Sequence, residues 1–92
     1  MNNTQDKIKM VCDSLSEFLC EKNKRYGDSA LNPINIFSKS DANTIILSRI
    51  DEKILRIKNS DELRKNDIVD LTGYLILYLI SQNWEDFKEF LD

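Results

Sequence analysis

Ninety-two residues with two cysteines, no histidine and a formal charge of −3 set narrow limits. The length suits one domain with a modest core. The charge gives no global basic field for DNA or RNA, and the missing histidine removes imidazole from any metal site or general base.

The spacing predicts a first helix from about Thr4 to Lys24, with Ile8, Val11, Cys12, Leu15, Phe18 and Leu19 recurring every three or four residues. Cys12 on this stripe reads as a small core residue. Cys20 would stand about 12 Å further along the same helix, too far for a disulfide. Gly27 and Pro33 then break the helical pattern. Ile34, Ile36 and Phe37 are expected to pin the following loop to the core. Ser40 or Asp41 can cap a second helix reaching about Lys58. Its buried side would carry Ile46, Leu47, Ile50, Ile54 and Ile57, and its other side Arg49, Glu52, Lys53 and Arg56.

A turn at Asn59, Ser60 and Asp61 leads to a third helix, capped by Asn66 or Asp67 and running to about Gln82. That helix is apolar nearly all round, from Ile68 to Ile80. A helix without a polar face is central, or shared between subunits. A homo-oligomer assembled through the third and first helices is therefore expected. Asn83 is placed as the cap of a last short helix, with Trp84, Phe87, Phe90 and Leu91 folding back onto the body. The reading is an all-α fold over residues 1–92: a small bundle of three main helices plus a short C-terminal helix, with a long polar loop after the first. No signal-peptide pattern is visible. The apolar run Leu71 to Ile80 is about half of what spans a bilayer. A cytoplasmic protein with no membrane partner is expected.

Three polar groupings carry possible chemistry. The loop from Lys22 to Phe37 concentrates basic, amide, hydroxyl and aromatic groups, and loops on a rigid scaffold are where binding groups sit. Lys22 and Arg25 can hold anionic oxygens, Arg25 with a planar fork. Tyr26 can stack, while Asn23, Ser29 and Asn32 offer neutral hydrogen bonds. The competing structural reading is a loop that organises itself through Asp28 and Asn32. The second grouping is the cationic row Arg49, Lys53 and Arg56, which doubles as ordinary surface pairing with Glu52. The third is Asp67 and Asp70, followed one turn later by Tyr74. Asp67 fits a cap, whereas Asp70 in an apolar helix needs a cation, with Lys53 or Arg49 the natural partner. Gly73 implies close helix contact or room for a ligand. No resident cofactor follows from these residues. Mg²⁺ is the ion to weigh, with Glu52, Asp67 and Asp70 as its candidate ligands and Asp51 as an alternative to Glu52.

The order KNKRYGDSA, RIDEKILRIKN, DIVDLTGYLILYLI resembles small phage-encoded proteins of the nucleotide modification associated domain group. That group shows a K-N-x-x-Y-G-[ND]-S loop, then R-x-x-[DE]-K-x-x-R, then an Asp with a Tyr further along the helix. Lys22, Asn23, Tyr26, Gly27, Asp28 and Ser29 match the first motif. Arg49, Glu52, Lys53 and Arg56 match the second, and Asp70 with Tyr74 the third. The resemblance implies an all-helical protein of an infected bacterial host cell, loosely similar to all-α nucleoside triphosphate pyrophosphatases. Those enzymes hold Mg²⁺ with E-x-x-E and E-x-x-D. Here Arg49 and Glu52 occupy the first pair's place, and only Asp67-x-x-Asp70 mimics the second.

The leading expectation is thus a non-catalytic binder of a small nucleotide-like anion, in its sharpest form a sponge for an immune-signalling nucleotide. Lys22, Arg25, Arg49, Lys53 and Arg56 would contact phosphate. Asn23, Ser29 and Asn32 would read polar edges, Tyr26 and Tyr74 would shape the pocket, and Asp70 would orient a cation. The alternatives are a Mg²⁺-dependent nucleotide pyrophosphohydrolase and a protein-binding anti-defence inhibitor.

Overall fold

A computed structural model describes residues 3–37 and 40–91. It contains α1 (Thr4–Arg25), α2 (Ala42–Asn59), α3 (Lys65–Ser81) and a single 3₁₀ turn, Lys88–Phe90. Among the described residues there is no strand, and no helix is long and apolar enough to cross a membrane.

Each helix starts and stops for a local reason. Asn3 caps α1 by accepting from the Asp6 amide at 2.9 Å. Asp41 caps α2, taking the Thr44 amide at 2.8 Å. Hydrogen bonds from the Thr44 amide, and then from its hydroxyl, hold the Asp41 carboxyl below its ordinary pKa of 3.8. The third helix departs from the sequence reading. It begins at Lys65 behind Arg64, which provides no side-chain cap, so neither Asn66 nor Asp67 is the cap.

Both α1 and α3 end in the same device, a residue with positive φ just past the C-cap. At α1 it is Gly27 (φ 61°), with the Asp28 amide returning to the Asn23 carbonyl at 3.1 Å. At α3 it is Asn83 (φ 61°), with the Trp84 amide returning to Leu79 at 3.0 Å and the Asn83 amide to Ile80 at 3.0 Å. Asparagine is the commonest substitute for glycine in this left-handed position. Asn83 therefore closes α3 rather than opening a further helix.

The core is small. α2 and α3 form a helical hairpin, and its centre is Ile46, 1% exposed, with Ile50 beside it. Burying each such side chain contributes about 1.5–3 kcal/mol. α1 buries no residue. It runs antiparallel to α3 where the two meet: Leu19 lies against Gly73, and Lys22 against Asp70. A β-carbon added at Gly73 would lie 3.0 Å from Leu19 Cδ2, so the glycine permits the close approach inferred from sequence.

Several expected core residues lie outside it. Cys12 is exposed. Ile34, Ile36 and Phe37 are exposed too, Phe37 at 98%, so they do not pin the loop. Trp84 makes an edge-on contact with Tyr78, ring centroids 6.1 Å apart. Phe87, Phe90 and Leu91 remain open to solvent, and the segment does not fold back as a helix. Leu75 and Ile80 show that α3 is not enclosed.

Two consequences can be measured. Replacing Asp41 by Ala lowers the melting temperature at neutral pH. The depressed carboxyl makes that contribution complete above about pH 4, and it disappears as pH falls from 3.8 through the lower folded value. The wild-type and Asp41→Ala melting curves therefore converge in acid. At Asn83, Gly stabilises because it has no β-carbon to strain in this conformation. Val destabilises by about 1–2 kcal/mol, read by urea denaturation.

Candidate functional site

The α1–α3 contact is made at one end only. Around it, α1, α3 and the loop after α1 frame a cleft of about 860 Å³. Its apolar end is lined by Cys12, Leu15, Ile76, Leu77 and Ile80, and its polar end by Lys22, Asn23, Tyr26, Ser29, Asp70 and Tyr74. Six of the residues singled out from sequence therefore share one wall system.

Asp70 organises the polar end. Its two carboxylate oxygens face different helices: Oδ2 lies 3.2 Å from Lys53 Nζ on α2, and Oδ1 lies 3.9 Å from Lys22 Nζ on α1. The Lys53 side chain is 14% exposed, the Lys22 side chain 43%. Lys53 is thus a buried brace, while Lys22 presents its charge at the mouth of the cleft. The Lys22 ammonium also lies 5.4 Å from the centre of the Phe18 ring, a cation–π contact that steadies it. Asp28 also lines this end, so Lys22 and Lys53 are matched by two carboxylates, and the half-exposed Lys22 ammonium is the cation open to a ligand.

The loop is built around Asp28, itself at φ 58°. Its carboxylate accepts from Asn23 Nδ2 at 2.9 Å and from Asn32 Nδ2 at 2.6 Å. Asn23 and Asn32 accordingly spend amide donors on loop structure, as the self-organising reading anticipates. Tyr26 is exposed and Tyr74 half-buried, both on the cleft wall.

The remaining cations go elsewhere. Arg25 pairs with Glu21 at 3.0 Å, and Arg49 with Glu52 at 3.2 Å, both exposed. Arg56 lies 3.8 Å from Asp67, which is 5% exposed. That pair lines a second hollow of about 330 Å³ with Leu55, Asn59, Ser60 and Arg64. The α2 cationic row is therefore divided: Lys53 supports the cleft, and Arg49 and Arg56 do not line it. Among the described residues no group of three or more His, Cys, Asp or Glu is placed to hold a metal ion. Glu52, Asp67 and Asp70 are instead each tied to a cation.

What sequence reasoning missed is the apolar end. Cys12, Leu15, Ile76 and Leu77 were legible only as core, because periodicity marks an apolar face without saying what covers it. No family model matches the chain, no curated protein matches it, and no solved structure matches it.

Deleting the shared carboxylate separates its two partners. Asp70→Leu strands the largely buried Lys53 ammonium and costs about 1–2 kcal/mol. Lys22→Ala, at the more exposed arm, costs less than about 0.5 kcal/mol. Urea denaturation of the two variants checks the order.

Proposed function

We propose that this chain is a homo-oligomeric, non-catalytic binder of a small nucleotide-like anion, with Lys22 at the cleft mouth meeting the phosphate. The carrying observation is the gathering of Lys22, Asn23, Tyr26, Ser29, Asp70 and Tyr74 around one cleft, with Lys53 behind Asp70. An aromatic and apolar wall beside the half-exposed Lys22 ammonium suits a ligand with a flat body and an anionic end. The resemblance to the nucleotide modification associated domain group supports the same reading. Its sharpest form is sequestration of a signalling nucleotide during phage infection, in the host cytoplasm.

The pairing of Glu52 and Asp67 with arginines, and of Asp70 with lysines, supports retention of a ligand over Mg²⁺-assisted hydrolysis. Carboxylates already neutralised by cations are poor metal ligands. The inhibitor alternative draws on the exposed apolar residues of α1 and α3.

The test is a thermal-shift screen with cyclic dinucleotides, cyclic ADP-ribose isomers and nucleoside triphosphates at about 1 mM. A ligand present at a hundred times its Kd adds about 2.7 kcal/mol, a rise of about 10 °C or more for a domain of this size. Lys22→Ala reduces the shift, and Arg49→Ala leaves it unchanged. Absence of a shift with every compound overturns the proposal, and release of hydrolysed product would replace it with the enzyme reading.

A further inference from the structure

The isolated chain exposes 7989 Å², whereas a folded monomer of 10.8 kDa exposes about 5,500 Å². The surplus is about 2,400 Å² per chain, or about 4,900 Å² for a pair, at the upper end of what obligate subunits bury between them. The radius of gyration agrees: 15.3 Å against about 12 Å for a compact domain of this length. The most coherent uncovered apolar surface is the α1–α3 face. α1 shows Ile8, Val11 and Phe18 to solvent, and Leu15, Leu77 and Ile80 continue the same face across the cleft.

We infer that a second copy of this chain covers the α1–α3 face and closes the apolar end of the cleft, leaving the Lys22–Asp70 corner as the only mouth. The area singles out this occupant. The loop and tail, where Ile34, Phe37 and Leu91 are open, hold part of this surplus; an isologous pair covers the part on the α1–α3 face of both chains at once, an area beyond the reach of a small ligand. One subunit's ligand site is then incomplete without the other, a point that rests on the binding reading above. The interface itself does not rest on it.

The wild-type thiols report directly. Cys12 and Cys20 are exposed in the single chain and both line the cleft. Light scattering after gel filtration should give the mass of two chains, and both thiols should react slowly with a chromogenic disulfide reagent, speeding up on dilution. Val11→Glu places a charge on a side chain that is 65% exposed in the single chain. It should yield a monomer with unchanged helical circular dichroism and two fast thiols. Phe37→Glu, on the loop, should leave the assembly intact. A wild-type monomer with fast thiols at about 100 μM overturns the inference, as does dissociation by Phe37→Glu but not by Val11→Glu. If Val11→Glu unfolds, the wild-type mass and thiol rates still decide. Lys22→Ala should keep the mass of two chains while weakening any nucleotide that stabilises the wild type. Loss of ligand binding is thereby separated from loss of the interface.

Discussion

One carboxylate on α3 meets a cation from each of the other two helices, closely from α2 and loosely from α1. Asp70 is reached by Lys53 from α2 and by Lys22 from α1, and it stands one turn before Gly73, where α1 comes closest. The Asp70 side chain is 31% exposed, so its charge keeps some water and is shared by two ammonium groups. The clasp is also directional. Dispersion between apolar faces would accept several sliding registers, whereas a carboxylate between two lysines accepts few. It converts two loosely matched helix surfaces into a defined corner, and that corner is the polar end of the cleft.

The strength of the assembly is unevenly distributed. α2 and α3 share the buried isoleucines, while α1 contributes no buried residue. α1 is apolar on one side and is left open along most of that side. The cleft is thus as much a product of what α1 does not touch as of what it does.

Much of this was legible in the residues. Apolar spacing and cap residues located the first two helices to within about one residue and the third to within two or three. A carboxylate in an apolar helix called for a cation, Lys53 or Arg49, of which Lys53 is the one that reaches Asp70; Gly73 called for close helix contact or ligand room, and Leu19 lies against it. The failures share a cause. Apolar periodicity gives a face but not its depth, so Cys12, Ile34, Ile36 and Phe37 were assigned to a core that α2 and α3 alone build. Asn83 sits where a cap and a terminator have the same composition, and only backbone dihedrals distinguish them. The division of the α2 row was equally hidden. Arg49, Lys53 and Arg56 share a helix face, but their acidic neighbours Glu52, Asp70 and Asp67 decide where each points.

The one-ended attachment of α1 makes it a lever. Its pivot lies at Leu19 and Lys22, and the remaining shaft back to Thr4 is about 22 Å long at 1.5 Å per residue. A rotation of about ten degrees at the pivot carries the far tip about 4 Å while barely disturbing the pivot contacts. The apolar end of the cleft is therefore the part most altered by such a rotation, and the corner at Asp70 the least.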